Sequence, residues 1–184
     1  MLIYKAYKFA TNAHKDQKRK YTGEPYIEHP LQVMFKAIES GITDINMLTA
    51  CLLHDVIEDC GVSHKELLHQ FGSGIADLVL ELTNYSKEFN VQANRTERHR
   101  LDLEKIKKIS PSAKIIKLVD RICNLRDCPL DNEDCVGFLK KRYLRESQQL
   151  LDVLLDTHNK LEVELQDIIC KLGNKISIVV WPTG

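Results

Sequence analysis

His54-Asp55 and Glu58-Asp59 place an imidazole and three carboxylates at the end of an apolar run, Leu48 to Asp59, that contains no Lys or Arg. His54 and Glu58 are i,i+4, as are Asp55 and Asp59, so a helix would crowd all four onto one shoulder of its end. Repulsion at that spacing is unfavourable unless a cation or a substrate offsets it. The stretch is therefore a candidate for metal-assisted or acid-base chemistry; the bland alternative is a solvated acidic helix end. Two other segments carry matching chemistry. His29 stands before Pro30, where a helix through Glu39 would start. Asp120 and Asn124 share one face of a segment made apolar by Ile115, Ile116, Leu118, Val119 and Ile122. A buried carboxylate needs a cation or hydrogen-bond partners, unless Asp120 pairs at the surface with Lys117 or Arg121. Together His29, His54, Asp55 and Asp120 make a candidate metal set with room for water. Mixed N and O donors suit Mn²⁺, Fe²⁺ or Mg²⁺ better than a closed structural zinc site. Such a metal lowers the pKa of bound water and polarises a phosphoryl oxygen. Glu58 and Asp59, one turn further on, are placed to orient or deprotonate that water.

The elements that must position these groups read as helices throughout. Leu2, Ala6, Phe9, Ala10 and Ala13 mark a first helix at helical spacing. A basic segment, His14 to Lys20, leads into a loop rich in Gly and Pro, Tyr21 to Pro30. Thr43 is the expected N-cap of the central helix, with Asp44 in its first turn. Ser63-His-Lys-Glu66 reads as a capping box for a short helix ending near Gly72. Ile75 to Thr83 is another helix and Asn84 to Asn94 a polar loop. Thr96 to Ile109 is a charged helix stopped by Pro111, and Ser112 the cap of a buried helix from Ala113 to Asp127. Asp134 to Asp156 and Asn159 to Leu172 read as two long helices, with Thr157 a cap and Gly173 a stop. Ile176 to Trp181 could be a strand but has no partner strand, so it is expected as a tail against the helices or a second subunit. The fold class is all-α.

Composition bounds the partners. The 184 residues fit one domain with a real core. Lys and Arg number 26 against 26 Asp and Glu, which argues against a nucleic-acid polymer or a membrane surface as partner. No apolar run reaches membrane-spanning length, and the N-terminus is not a signal peptide. The six cysteines include no Cys-x-x-Cys pair, so free thiols in a cytoplasmic protein are expected.

The triad of segments resembles the HD superfamily of metal-dependent phosphohydrolases. More narrowly, Gly23-Glu-Pro-Tyr-Ile-Glu-His-Pro30, Leu53-His-Asp-Val-Ile-Glu-Asp59 and Lys117-Leu-Val-Asp-Arg-Ile-Cys-Asn-Leu-Arg126 resemble the hydrolase domain of the RelA/SpoT family. The resemblance is close from about Ala6 to Arg126 and looser over the C-terminal helices and tail, 132–184. Its specific part is the Glu-Asp pair four residues after His-Asp. It implies one all-α HD-domain helical bundle over 1–184, one Mn²⁺ per chain, and removal of pyrophosphate from the 3′ position of guanosine tetra- and pentaphosphate. His29, His54, Asp55 and Asp120 would hold the metal, and Glu58 and Asp59 would serve the water. Arg19 matches the arginine that stacks on the guanine, and Asn124 the asparagine near the ribose. Lys18, Lys20, Lys87 and Arg98 are weaker candidates for phosphate contacts, Arg98 having a counterpart in the metazoan homologues. The chain departs from the family pattern by one inserted residue between Arg19 and His29 and by Thr83-Asn84. It ends at Gly184, where bifunctional members continue, so the resemblance is to stand-alone small alarmone hydrolases. His64, His69 and His99 are expected not to form a second metal site, because the Glu-Asp pair belongs to the one-metal branch. The partner implied is a guanine nucleotide alarmone, with homo-oligomerisation left open. Two alternatives remain: a related phosphatase acting on the 2′-phosphate of NADPH or on an adenine alarmone, and a non-catalytic antitoxin-like or binding module on the same fold.

Overall fold

Ile45–Leu53 (α3) is apolar on every side, and such a helix needs neighbours all round. In the computed structural model they are α1 (Leu2–Ala13), α2 (Glu28–Glu39), α6 (Ser73–Leu82) and α8 (Pro111–Arg126), all packed against α3. The structure describes residues 2–84 and 94–179, and at 140, 141 and 176–179 the backbone alone. Every α3 residue from Met47 to Leu53 is buried. Leu52 and Leu53 are fully covered, each contributing about 1.5–3 kcal/mol of apolar burial. Leu52→Ala would cost roughly 2–5 kcal/mol, since the surrounding helices cannot all close on the hole.

The expected single helix through Asp59 is in fact two. His54 and Asp55 make a turn, α4 (Val56–Cys60) follows, and Gly61 ends it at φ +68°, a left-handed conformation that favours glycine. The cap of α3 also differs from expectation: Asp44, not Thr43, is the N-cap, its Oδ1 accepting the Met47 N–H at 2.8 Å. The turn changes the geometry that i,i+4 spacing implied. His54 is buried with the core, whereas Asp59 is exposed.

A second group of helices lies beyond α8. α11 (Asn159–Val179) packs on α8 and on α10 (Leu144–Leu154), and α7 (Arg95–Ile106) lies against α10. α5 (His64–Phe71) packs on α6, with Ser63 capping it by accepting the Glu66 N–H at 3.1 Å. α8 is capped by Ser110 rather than Ser112, with Pro111 at its first position. Pro111 thus starts α8 instead of merely stopping α7, because its missing N–H costs nothing there. α2 likewise begins at Glu28, which puts His29 inside the first turn.

The long helix expected from Asp134 to Asp156 is interrupted. α9 (Glu133–Phe138) runs into a π-helical turn, Leu139–Tyr143, before α10. The wider turn re-aims the side chains around it, and no apolar periodicity announces it. Gly173 does not stop α11, which continues to Val179, so the backbone over 176–179 is helical rather than extended. Residues 180–184, Lys87 and the interior of the expected 84–94 loop lie outside the described residues. Among the described residues there is no strand, only an isolated bridge between Lys18 and Pro25.

The expectation of free thiols throughout is corrected. Cys128 and Cys135 form a disulfide with Cα atoms 6.0 Å apart, while Cys51, Cys60, Cys123 and Cys170 are free. The pair is seven residues apart and unrecognisable by spacing; it forms because the chain doubles back between α8 and α9. Among the described residues no helix is long and apolar enough to cross a membrane.

Candidate active site

Three helices bring the candidate residues together: α2 supplies His29, the turn after α3 supplies His54 and Asp55, and α8 supplies Asp120. His29, His54 and Asp55 present donor atoms all within 4.8 Å of one another. Asp120 adjoins them, its Oδ1 being 3.1 Å from His29 Nε2 and 3.7 Å from His54 Nε2. Both histidines are buried. His54 Nδ1–H donates to the Cys51 carbonyl oxygen at 2.8 Å, which fixes the tautomer and turns Nε2 toward the carboxylates. His54 Nε2 lies 2.9 Å from Asp55 Oδ2, yet neither it nor His29 Nδ1 has a hydrogen-bond partner of good geometry. Buried nitrogens left in that state are costly in a purely structural cluster. Two imidazoles and carboxylate oxygens converging on one point fit a divalent cation.

The local electrostatics agree with that reading. Burial disfavours the charged form of His54, but the Asp55 carboxylate beside it outweighs burial and lifts its pKa to about 9. Burial likewise opposes ionisation of Asp120, yet its hydrogen bond with His29 and the nearby His54 hold it down at about 2. Asp55 is held well below the usual carboxylate range, burial being overcome chiefly by His54. The metal-free cluster thus stores a proton on His54 that a cation would have to displace.

The second half of the site is a cavity of about 310 Å³. Lys18, Arg19 and Lys20 line it from the loop after α1, Asn124 and Asp127 from the end of α8, and Phe138, Leu139 and Tyr143 from the π-helical segment and the residue before it. The Cys128–Cys135 disulfide forms part of its wall. Arg19 Nη2 donates to Asn124 Oδ1 and Asp127 Oδ2, each at 3.0 Å, which fixes the guanidinium plane. Asn124 Nδ2 donates onward to Asp120 Oδ1 at 2.6 Å, so one amide joins the cavity to the buried cluster. The alternative surface pairings of Asp120 with Lys117 or Arg121 are not its partners; Arg121 instead lies over the Tyr143 ring at 4.5 Å.

Glu58 and Asp59 lie on α4, just after the turn that carries His54 and Asp55. Glu58 Oε2 accepts the Asn84 N–H at 3.0 Å. The preceding residue, Thr83, has its carbonyl oxygen bound by the Lys105 ammonium, so the end of α6 is held against α7 beside Glu58. Asp59 Oδ2 lies 3.2 Å from the Tyr26 hydroxyl. Arg98 is half-buried on α7 and does not line the cavity, and Lys87 is outside the described residues. Of the other histidines singled out in the sequence, His64 pairs with Asp77 at 2.7 Å and His99 meets Gln149 at 3.1 Å, while His69 lies on α5.

Sequence reasoning missed Tyr26 and the aromatic wall. Tyr26 donates to Asp55 Oδ2 at 2.6 Å, and burial followed by the Asp55 charge pushes its phenol far above the ordinary tyrosine range. Its signal was its place three residues before His29 in a Gly/Pro-fixed loop. Phe138 and Tyr143 had no signal, because the π turn that presents them breaks the helical period.

Known proteins resemble this chain. The HD domain family matches residues 6–175. Human guanosine-3′,5′-bis(diphosphate) 3′-pyrophosphohydrolase MESH1 is 35% identical over 176 residues, covering 93% of this chain and 94% of that protein. The guanosine-3′,5′-bis(diphosphate) 3′-pyrophosphohydrolase of Aquifex aeolicus is 34% identical over 148 residues, 80% of this chain but only 20% of that longer protein. A solved structure described as a metazoan ortholog of SpoT that hydrolyzes ppGpp superposes with a TM-score of 0.80 at 31% identity, covering 94% of this chain and 96% of that one.

Proposed function

The chain belongs to the HD domain family, and on that premise we propose that it is a metal-dependent hydrolase of the 3′-pyrophosphate of guanosine tetra- and pentaphosphate, releasing pyrophosphate and GDP or GTP. The observation that carries the reading is the buried His29–His54–Asp55 group opening beside a nucleotide-sized cavity. Relatives of nearly the same length that carry the activity in their names support it. We read residues 1–184 as one HD domain working in the cytoplasm.

His29, His54, Asp55 and Asp120 would hold one divalent cation; the mixed nitrogen and oxygen set suits Mn²⁺, Fe²⁺ or Mg²⁺, and Mn²⁺ is the one the family resemblance implies. When bound, the cation supplies Lewis-acid polarisation of a phosphoryl oxygen and makes water easier to deprotonate. The chain supplies the rest. His54 is kept in one tautomer by the Cys51 carbonyl. Glu58 and Asp59 accept the proton of the attacking water and return it to the leaving oxygen. Arg19, its plane fixed by Asn124 and Asp127, stacks on the guanine. Lys18 and Lys20, which line the cavity, attract the phosphates, with Lys87 and Arg98 as weaker candidates for the same contacts. Asn124 contacts the ribose and reports its position to Asp120.

A nucleotide panel tests the proposal. With Mn²⁺, guanosine tetraphosphate should give GDP and pyrophosphate, and chelation should stop it. Release of inorganic phosphate from NADPH at a higher kcat/KM would replace this reading with the related phosphatase. No turnover of any nucleotide by the metal-loaded protein would favour a binding module.

A further inference from the structure

Tyr26 belongs to both halves of the site. Its ring lines the cavity, stacked on His14 with centroids 4.6 Å apart and 24° between planes. The Arg19 guanidinium lies over it at 5.6 Å. His14 is itself buried and held: its Nδ1 is 2.7 Å from Gln17 Oε1, while Gln17 Nε2 donates to the Asp59 carbonyl oxygen at 2.9 Å. The backbone of Tyr26 is fixed too, its N–H donating to the Gln17 carbonyl at 3.0 Å. A ring clamped in this way aims its hydroxyl, and the hydroxyl meets two acids. It lies 2.6 Å from Asp55 Oδ2 and 3.2 Å from Asp59 Oδ2. A phenol has one proton to donate, so the shorter contact, to Asp55, takes it, and Asp59 Oδ2 is at most the weaker arm of a shared bond.

We propose that Tyr26 is a positioning residue: its hydroxyl holds Asp55 Oδ2 beside His54 Nε2, while its ring carries Arg19. The oxygen held is the one 2.9 Å from His54 Nε2. Without the hydroxyl, Asp55 can rotate about its side-chain bonds, and each productive orientation of the carboxylate must be found anew on binding a cation. Outer partners of this kind commonly set about 10–100-fold in metal affinity. The inference rests on the proposed placing of a cation at Asp55, and goes beyond it by assigning a residue that touches neither cation nor reacting phosphorus.

Tyr26→Phe and Tyr26→Leu separate hydroxyl from ring. Mn²⁺ affinity is measured on nucleotide-free protein by competition with a fluorescent chelator, alongside the melting temperature of the metal-free form. Tyr26→Phe should weaken Mn²⁺ binding about tenfold or more, leave the KM for guanosine tetraphosphate within about twofold, and melt near wild type because the ring still stacks on His14. Tyr26→Leu should weaken Mn²⁺ equally and also raise KM, since Arg19 loses its support. Wild-type Mn²⁺ affinity in Tyr26→Phe overturns the proposal, as does a lower melting temperature with unchanged affinity, which would make Tyr26 a packing residue. If the wild-type protein binds Mn²⁺ without releasing pyrophosphate, the proposed reaction fails while the affinity comparison still decides the role of Tyr26. A wild-type protein that binds no Mn²⁺ overturns both.

Discussion

The buried cluster and the cavity beside it are built in opposite ways. The cluster sits on core helices: α2, the turn after α3 and α8 each bring residues to it, and His54 is tied to a carbonyl three residues back. Its histidines are buried in the same core that holds α3. The cavity is assembled from a loop after α1, the end of α8 and a π-helical segment, with a disulfide in its wall. The cluster is therefore set by the core, where charge must be controlled, and the cavity by segments at its edge, where a nucleotide must be admitted. The two are joined at two residues, Asn124 and Tyr26, and the division predicts that chemistry and recognition can be damaged separately.

The largest effect should come from the cluster itself. His54→Ala removes a buried donor and strands Asp55 and Asp120, so turnover should fall to background in a direct assay of pyrophosphate release. A variant still turning over at a measurable fraction of wild type would mean that His54 is structural. Next come Glu58→Gln and Asp59→Asn, which keep shape and lose the base. Their kcat should drop on the order of 10²–10⁴-fold while Mn²⁺ still binds. Loss of metal together with activity would move that pair into the cluster. On the cavity side, Arg19→Ala should raise KM roughly tenfold, about 1.4 kcal/mol of lost contact, with kcat little changed. A collapse of kcat alone would erase the division between the halves.

A smaller effect sharpens the cluster's side of the comparison. His54 is raised to about 9 in the metal-free fold, against roughly 6.5 when unfolded. Its ion pair with Asp55 is thus fully stabilising below about pH 6.5 and is lost as pH rises through about 9. Metal-free protein should melt lower at pH 9.5 than at pH 6. Mn²⁺ affinity should rise across the same window, because the cation competes with the His54 proton. Asp120 works at the other end. Its pKa of about 2 lies below the unfolded value, so its contribution is present above about pH 4 and fades as pH falls through 2. Calorimetry with and without chelator checks both limbs.

The same contrast governs what could be read from the amino acids. The all-α class, the first helix, the buried α8 face and the convergence of His29, His54-Asp55 and Asp120 all follow from periodicity and donor type, and the structure brings those residues together. Boundaries were less legible where two residues compete for one cap: Asp44 displaces Thr43, and Ser110 displaces Ser112 because Pro111 fits the first helical position. The break at His54-Asp55 was invisible, since a turn of near-helical dihedrals keeps the helical spacing of apolar residues. The π turn at Leu139–Tyr143 breaks the helical period, and the Cys128–Cys135 bond joins residues seven apart at a spacing that no motif marks. They supply the cavity wall, which is why the pocket was less legible than the cluster.

The most direct measurement is an Mn²⁺ titration of chelator-stripped protein, wild type beside Asp120→Ala and Arg19→Ala. Wild type and Arg19→Ala should each bind one equivalent per chain with the same affinity, and Asp120→Ala should lose it. Undiminished binding in Asp120→Ala, or two tight equivalents in the wild type, would contradict the account.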